Sequence, residues 1–408
     1  MEKAGFQTET KDGSRENDQY AALGVDADKT SVRQAFKPII DNDYPRAFVN
    51  IVKNPFGQGV LTQHQDGDGS KSVQRLLHYL ITGDRKQLGY MVDDALSMNA
   101  SDISASGFVF GPWVISQVLN ANLETLEEGL KGIVMQEISR RWAEIRKFYE
   151  DNGFKIKFLG GETADLPDQV RSSVFDMTIT AQAEESDIIK GEVKPGDRIW
   201  GLASDGQAAW EKEWNSGIMA NGLTLARSVL MGKNYNLIFL NLNLRGDYYR
   251  GRFQINDKPS ILNGLTVSEA LLSPTRPWAI IIRKILERLK WNNRLHMLHG
   301  ISINTGGGAT KIKHVGQGII YDKTMPIPPP IFLLIQQESK ELWENMFRSF
   351  NCGIGVDLVG EDDPVFERII FDAAYECGIV LNSLGRCFRS GEEKNKVMLR
   401  TPYGTFKY

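Results

Sequence analysis

Apolar residues recur every three or four positions along several stretches of the chain, which is the spacing of one buried face of an α-helix. This pattern predicts helices over residues 72–81, 123–151, 277–291 and 363–377. Glycine is common just past a helix end, and Gly153 and Gly378 stand at that position for two of the four. Residues 94–102 are short and mixed in pattern, so no regular element is predicted there.

Shorter apolar stretches, some of them alternating with polar residues, lie between the predicted helices and are typical of β-strands. They predict strands over residues 155–159, 174–183, 198–203, 298–303 and 352–359. Strands that alternate with helices favour a mixed α/β fold. Pro195 and Gly196 adjoin just before one of these strands and mark a domain boundary. We therefore predict a flexible polar tail over 1–19, one domain over 20–194 and a second over 195–408.

Length and charge narrow the class of protein. A chain of 408 residues is long enough for two domains with sizeable cores. Its 48 Lys and Arg residues nearly balance 51 Asp and Glu residues, and a net charge of −3 argues against broad binding to nucleic acid or to an anionic membrane. No apolar run approaches the roughly 18–20 residues of a membrane-spanning helix. The three cysteines form no Cys-x-x-Cys pair, which fits a reducing cytoplasm better than a disulfide framework or a zinc finger.

Common catalytic motifs are missing from the chain. It has no phosphate-binding P-loop, no Rossmann glycine fingerprint, no His-Glu-x-x-His zinc motif and no Gly-x-Ser-x-Gly nucleophile turn. What remains are four loop clusters, most of which join glycine to charged residues. They lie at residues 66–71, 93–102, 160–165 and 305–311.

The first cluster is a glycine-rich loop that enters the predicted helix at residue 72, and it consists of Asp66, Gly67, Asp68, Gly69, Ser70 and Lys71. Glycines let a backbone approach phosphate closely, and a helix N-terminus with a lysine favours anions. Asp66 or Asp68 offers an oxygen ligand for Mg²⁺. The alternative interpretation is a helix-capping turn, because short Asp/Gly turns are common.

The second cluster contains Asp93, Asp94 and Asp102, whose carboxylates can share a divalent cation if the fold brings them together. Carboxylates that contact only water are the alternative, since most acidic side chains lie at the surface.

The third and fourth clusters follow predicted strands. Residues 160–165 come at the carboxyl end of one strand, where ligands commonly bind in α/β sheets, although a plain turn has the same composition. Residues 305–311 contain three consecutive glycines followed by Thr310 and Lys311, which favours an anion-binding loop. A flexible turn is the alternative there.

Taken in order, these clusters and three further segments resemble the motifs of one enzyme family, the phosphoribosylformylglycinamidine cyclo-ligases or AIR synthetases. Residues 66–71 (DGDGSK) are similar to its DGVGTK motif, and Asp94 and Asp102 to the acids of its DLVAMxxND segment. Residues 160–167 (GGETADLP) nearly match GGETAEMP. Further similarities, in chain order, are the opening at 20–26, LLSPTR at 271–276, TGGG at 305–308 and MFRSFNCGIG at 346–355.

The resemblance implies a two-domain α/β (α+β) fold of the AIR synthetase type. The N-terminal sheets of two chains are expected to join across a homodimer into a barrel-like structure, and the C-terminal domain is expected to be α/β. The resemblance also implies a cytoplasmic ligase of purine biosynthesis that uses ATP and Mg²⁺ and binds neither nucleic acid nor a membrane.

Roles for individual residues follow from the same resemblance. Mg²⁺ would be bound by Asp66, Asp94 and Asp102. The nucleotide would contact Asp102 and two glycine loops, that is Asp66, Gly67, Asp68, Gly69, Ser70, Lys71, Gly160, Gly161, Glu162 and Thr163. The ribose phosphate of the substrate would contact Asn221, Gly222, Thr305, Gly306, Gly307 and Gly308. Lys71, Asp94 and Asn221 are expected to act in catalysis.

The implied reaction is the ring closure of formylglycinamidine ribonucleotide. An amide oxygen is a poor leaving group, and phosphorylation by ATP converts it to an iminophosphate. The neighbouring nitrogen then closes the imidazole ring to give aminoimidazole ribonucleotide (AIR), ADP and phosphate. Phosphoryl transfer needs mainly positioning and charge neutralisation, which fits metal-binding acids and Lys71.

The chain departs from the family pattern at three places. Ile303 replaces a histidine before TGGG, and the N-terminal glycine-rich loop that contains a lysine is altered, with only residues 53–59 nearby. Met219 stands where the family has a histidine, and the residues before it, 207–217, are additional sequence. We therefore predict that Lys212 or Glu211 supplies the charge or the proton transfer that the histidine would provide. Selenophosphate synthetase and thiamine-monophosphate kinase share the overall plan, and a non-catalytic nucleotide-binding protein is a third alternative. The first cysteine of the chain is Cys352, which argues against a selenophosphate synthetase.

Overall fold

The computed structural model describes residues 18–25, 29–238 and 248–408, so almost all of the predicted tail lies outside the described residues. The helices of the described residues are α1 Gln19–Ala22, α2 Thr30–Phe36, α3 Lys71–Thr82, α4 Lys86–Gly89, α5 Met91–Ser104, α6 Leu130–Asp151, α7 Leu223–Leu230, α8 Tyr235–Ile238, α9 Val267–Leu272, α10 Trp278–Trp291, α11 Pro330–Ser339, α12 Trp343–Ser349 and α13 Pro364–Glu376. Short 3₁₀ helices cover Ser260–Leu262, Leu295–Met297 and Gly308–His314. None of these helices is both long and apolar enough to cross a membrane.

The strands of the described residues are β1 Val52–Lys53, β2 Val60–Gly67, β3 Pro112–Ala121, β4 Lys155–Asp165, β5 Ser173–Ala183, β6 Arg198–Ala203, β7 Leu298–Ile303, β8 Ile319–Thr324, β9 Ile354–Gly360, β10 Leu381–Arg389, β11 Lys396–Thr401 and β12 Gly404–Lys407. They form two sheets. The first has the order β1-β2-β5-β3-β4, and the second has the order β12-β11-β8-β10-β6-β9-β7. The predicted mixed α/β fold is confirmed.

The first sheet is antiparallel except for its last pair, β3 and β4, which is parallel. Its register places Gly67 of β2 opposite Asp176 of β5. The second sheet is antiparallel except for the pair of β8 and β11. β5 of the first sheet ends at Ala183 and β6 of the second begins at Arg198, and the domain limits predicted between them stay a prediction.

Helix α5 is one of several elements that the sequence pattern did not predict, together with strands such as β2, β3 and β10. All 14 of its residues are buried, because it packs against β2 and β5 of the first sheet and also contacts α6, α10 and β7. Half of these residues are polar or charged and are covered by other elements, so polar positions mark no solvent-facing side and the amphipathic period of 3.6 residues is lost. One hydrophobic cluster accordingly contains Trp113 and Ile179 of the first sheet together with Trp278 and Leu358 from the second half of the chain.

A buried ionic network around α5 joins helices of the first half of the chain to loops of the second half. The ammonium of Lys71 donates to Asp94 Oδ1 at 3.0 Å, to the Met219 carbonyl at 3.0 Å and to the Ser273 carbonyl at 2.5 Å. The guanidinium of Arg75 pairs with the other oxygen of Asp94, and both side chains of each pair are fully buried. The backbone N–H of Thr275 donates to Asp94 Oδ1 at 2.7 Å. Two helices of the first half are thereby held to two loops of the second.

The partners decide the protonation states in this network. Burial by itself would raise the pKa of Asp94, but Lys71 and Arg75 more than offset it and hold the pKa below its ordinary value. Burial lowers the pKa of Lys71 to about 8, against the opposing influence of Asp94. Asp94 is therefore a carboxylate at neutral pH, and most Lys71 side chains are ammonium.

We expect Asp94→Asn to lower the free energy of unfolding by about 3–5 kcal/mol, because it leaves Lys71 and Arg75 buried with uncompensated charge. Urea unfolding monitored by circular dichroism measures this. The control is Asp151→Asn, which removes an exposed carboxylate paired with Lys147 and should change stability by less than about 1 kcal/mol. Equal effects of the two variants would contradict the role of the network.

Asp68 adds a second acid beside the network. Its Oδ1 accepts from the Ser72 hydroxyl at 2.7 Å, while Oδ2 is buried with no hydrogen-bond partner among the described residues. The pKa of Asp68 is raised to about 8, mainly by burial and also by Asp94, while Ser72, Arg75 and Lys71 oppose the shift. The folded protein therefore keeps a proton on Asp68 that an unfolded chain releases near pH 4.

This difference predicts how stability depends on pH. Between about pH 4 and pH 8 the folded state binds more protons at Asp68 than the unfolded state, so the free energy of unfolding falls as pH rises through that window. Asp68→Asn has no proton to lose. We expect its stability relative to the original chain to increase from pH 5 to pH 8, by on the order of 2 kcal/mol, in denaturant titrations at several pH values. A difference that stays constant over this range would contradict the prediction.

Candidate active site

Two carboxylates lie close together at the end of β2. His64 and Asp66 are two residues apart on β2, so their side chains point to the same side of the sheet. Asp102 approaches this side from the last turn of α5. We call Asp66 and Asp102 the acidic pocket. Asp176 of β5 pairs with Gly67, so its side chain lies on the opposite face of the sheet, where it still interacts electrostatically with Asp66.

Helix α5 is fixed to β2 by Asn99, which is one turn before Asp102. The amide of Asn99 donates to the Asp66 carbonyl at 2.8 Å, and its oxygen lies 2.9 Å from Nδ1 of His64. Nε2 of His64 lies 3.4 Å from Oδ2 of Asp102. Oδ1 of Asp102 is buried and has no hydrogen-bond partner among the described residues.

The acidic pocket carries more negative charge than its surroundings compensate. Burial raises the pKa of Asp66, and Asp102 raises it further, against the opposing influence of His64, the Gly67 N–H and Lys311. The pKa of Asp176 is raised by burial and by Asp66. Neighbouring carboxylates that disfavour each other's charge provide an attractive position for a cation.

Two of the three predicted metal ligands fit Mg²⁺ in this structure. Asp66 and Asp102 are close enough to influence each other, and Asp102 has an unpartnered oxygen. Mg²⁺ is usually bound by one or two carboxylates plus water and substrate phosphates, so two such acids suffice. No group of three or more His, Cys, Asp or Glu side chains in the described ranges has the geometry of a complete metal site. Both oxygens of Asp94 accept hydrogen bonds from Lys71, Arg75 and Thr275, so neither is available to a metal ion in this structure. The metal contact of Asp94 therefore stays a prediction.

The predicted phosphate loop turns sharply between β2 and α3. A Cβ on Gly67 would lie 2.0 Å from an oxygen of Asp176, and Gly69 has a φ of +58°, so both positions favour glycine. The Ser70 hydroxyl accepts from the Thr224 hydroxyl of α7 at 3.2 Å. The loop therefore touches the second half of the chain, but Lys71 points into the buried network and not toward the surface.

The predicted substrate residues also come together. Asn221 and the glycine loop at Thr305–Gly308 are neighbours, since a Cβ on Gly306 would lie 3.8 Å from the Asn221 side-chain oxygen. The Asn221 amide nitrogen is buried with no partner among the described residues and is available as a donor. Gly222 has a φ of +73° and packs so closely on the ring of Phe350 that a Cβ would collide with it.

The predicted second nucleotide loop lies away from the acidic pocket and the phosphate loop. Gly160, Gly161, Glu162 and Thr163 belong to β4 at the edge of the first sheet, and β5 and β3 separate them from β2. Three strand spacings amount to about 14 Å. Gly161 is required by the sheet itself, because a Cβ there would lie 1.7 Å from the Gln117 carbonyl. A nucleotide contact of these residues stays a prediction.

The segment proposed to replace the missing histidine is held by other groups. Arg276 donates to the two oxygens of Glu211 at 3.0 and 2.8 Å, and the Ala208 N–H donates to Glu211 at 2.7 Å. Trp210 packs against Phe148 of α6, with ring centroids 6.2 Å apart. Lys212 is exposed to solvent. Glu211 therefore has a structural partner, and the catalytic role of Lys212 stays a prediction.

Sequence reasoning missed His64, Asn99 and Asp176. The spacing of two between His64 and Asp66 on a strand, and of three between Asn99 and Asp102 on a helix, were the available signals. Asp176 gave no local signal, because strand pairing alone brings it to Gly67.

Solved structures support the fold. Phosphoribosylformylglycinamidine synthase II from Thermotoga maritima has a TM-score of 0.51 at 9% identity, over 96% of this chain and 50% of that one. A chain of the HypE–HypF complex has a TM-score of 0.50 at 15% identity, over 93% of this chain and 98% of that one. At such low identity the similarity concerns the fold alone.

Sequence relatives identify the family. No family model matches the chain. The phosphoribosylformylglycinamidine cyclo-ligase of Methanocaldococcus jannaschii is 30% identical over 347 residues, which cover 84% of this chain and 83% of that enzyme. The enzyme of the same name from Methanococcus vannielii is 30% identical over 318 residues, 77% of this chain and 74% of that enzyme. The order of the motifs and the identity over most of both lengths show that this chain belongs to the phosphoribosylformylglycinamidine cyclo-ligase family.

Proposed function

We propose that this chain catalyses the ATP-dependent closure of formylglycinamidine ribonucleotide to aminoimidazole ribonucleotide in purine biosynthesis. The proposal rests on the 30% sequence identity with an enzyme of that name, in an alignment that covers 84% of this chain. The geometry is consistent with it, since the acidic pocket, the phosphate loop and the substrate residues meet where the two halves of the chain touch.

The reaction balances as two displacements. The amide oxygen of the substrate forms a bond to the γ-phosphorus of ATP, and the bond from that phosphorus to ADP breaks. The nearby substrate nitrogen then bonds to the activated carbon, whose bond to the phosphorylated oxygen breaks and releases phosphate. Holding the nitrogen against the carbon makes closure effectively intramolecular, which is worth up to roughly 7–11 kcal/mol.

Different residues of the chain would bind the metal ion, the nucleotide and the substrate. Asp66 and Asp102 would hold Mg²⁺, which neutralises phosphate charge when bound. The backbone of Gly67–Ser70 would lie along the phosphates at the start of α3. Asn221 would donate its unpartnered amide to the substrate beside Thr305–Gly308. Lys71 and Asp94 would act as positioning residues, because their contacts fix α3 and α5 against the loops at Met219 and Ser273.

We also propose a cytoplasmic homodimer that forms through the first sheet. The helices α5 and α6 cover one face of this sheet, and the opposite face exposes aliphatic side chains. Val114 is 36%, Leu159 72% and Val174 44% exposed. The resemblance to AIR synthetases supports pairing of two such faces. The cysteines Cys352, Cys377 and Cys387 are all unpaired, which fits a reducing compartment.

The test of the activity is AIR formation from purified protein, formylglycinamidine ribonucleotide, ATP and Mg²⁺. Asp102→Asn is expected to lower the rate by about 10²-fold or more, because it removes a carboxylate charge where phosphate must be neutralised. Asp151→Asn is the matched control, since Asp151 is exposed and pairs with Lys147 at the surface. Absence of AIR from the original chain would refute the function, and full activity of Asp102→Asn would refute the assigned site.

The test of the dimer is sedimentation velocity at micromolar concentration. Val114→Glu places a charge on the open face of the first sheet and should shift a dimer toward monomer, because two like charges would be buried together. Val380→Glu introduces the same charge at a position in the second half that is 64% exposed and should leave the assembly unchanged. A monomer for the original chain would contradict the proposal.

A further inference from the structure

Lys311 joins the acidic pocket to the glycine loop. It lies in the 3₁₀ helix Gly308–His314, which directly follows Thr305–Gly308. Its ammonium lies 3.3 Å from Oδ2 of Asp102 and donates to the Thr305 hydroxyl at 2.5 Å. The backbone of Lys311 thus belongs to the second half of the chain, while its ammonium contacts the carboxylate of Asp102 in the first half.

The other cations around the two halves are engaged elsewhere. The ammonium of Lys71 donates to Asp94 and to two carbonyls and is fully buried. Arg75 is bound by Asp94 and Gln87, and Arg276 by Glu211 and the carbonyls of residues 203, 205 and 206. Lys311, in contrast, contacts both the acidic pocket and the glycine loop.

The surroundings of Lys311 leave its ammonium able to change partner. Its side chain is 16% exposed, in contrast to the fully covered Lys71. The ring of Phe48 lies 4.8 Å from the ammonium and covers one side of it, an arrangement that stabilises a cation without fixing its direction. A lysine ammonium is a compact charge on a flexible four-carbon stem, so it can exchange one anionic partner for another nearby.

We propose that Lys311 is a catalytic residue of the proposed ring closure, on which this inference rests. In the free protein its ammonium lies against Oδ2 of Asp102, beside the unpartnered Oδ1. In the reacting complex it leaves Asp102 and donates to oxygens of the phosphoryl group that passes between ATP and the substrate amide.

The location of Lys311 explains why it suits this task. The phosphoryl group must pass from a nucleotide held at the acidic pocket to an oxygen of a substrate held at the glycine loop, and Lys311 spans these two places. Charge in such a transfer is spread over the three equatorial oxygens, and a cation beside them stabilises it. Lys311 keeps its proton throughout both displacements. Its charge also compensates the phosphate that leaves on ring closure, where Met219 offers none.

The proposal makes two opposite predictions for one variant. The ammonium repels a divalent cation bound at the same carboxylate of Asp102, so removal of the ammonium should strengthen divalent cation binding to the nucleotide-free protein. The same removal should slow AIR formation. A lysine that only stabilised the fold would produce neither effect at constant stability.

The experiment compares Lys311→Met with Lys313→Met, which removes the same charge two residues away on the same 3₁₀ helix. Mn²⁺ is the probe, and its free concentration is followed by electron paramagnetic resonance without nucleotide. We expect Lys311→Met to bind Mn²⁺ about threefold or more tightly than the original chain, and its kcat for AIR formation to fall by about 10²–10³-fold. Lys311→Arg should restore part of the kcat, and Lys313→Met should match the original chain in both measurements.

The outcomes separate the two proposals. If the original chain forms AIR and Lys311→Met retains its kcat, or if Mn²⁺ affinity is unchanged, the role of Lys311 is refuted while the ring-closure function stands. If the original chain forms no AIR, the ring-closure function itself is refuted. Lys311→Gln, which keeps a polar end of similar length, is measured in the same way and decides the matter should Lys311→Met fail to fold.

Discussion

Two buried cations, Lys71 and Arg75, share the carboxylate of Asp94 where helices α3 and α5 meet loops of the second half of the chain. Burial of three ionised groups is unfavourable unless each finds partners, and here the partners come from both halves of the chain. The buried ammonium of Lys71 therefore requires its hydrogen bonds to the carbonyls of Met219 and Ser273. They set where α3 begins and how the phosphate loop before it approaches the second half.

The site is built around this constraint. The phosphate loop begins at Asp66 in the acidic pocket and ends at Lys71 in the ionic network. The network fixes Lys71, and this limits where the rest of the loop can lie. The Ser70 hydroxyl accepts from Thr224 in the same junction. The reaction needs a nucleotide and a ribonucleotide held against each other, and a rigid junction between the halves provides that alignment.

Similar residue types have different roles at the two ends of α5. Asp94 has every oxygen satisfied by fixed partners and stabilises the fold. Asp102, eight residues later, has one unpartnered oxygen and one partly exposed lysine as a partner. The satisfied acid is suited to position the site, and the unsatisfied acid is suited to bind what enters it.

The sequence by itself determined the elements whose chemistry repeats locally. The helices α3, α10 and α13 and the strands β5, β6 and β7 were predicted near their true bounds, and the order of the glycine motifs indicated the family. Tertiary structure alone decided which charges meet, because Lys71 and Met219, or Lys311 and Asp102, are far apart in the chain and no spacing rule connects them. It also decided that α5 is a helix, since its polar residues are buried against other elements and leave no solvent-facing side that spacing arguments need.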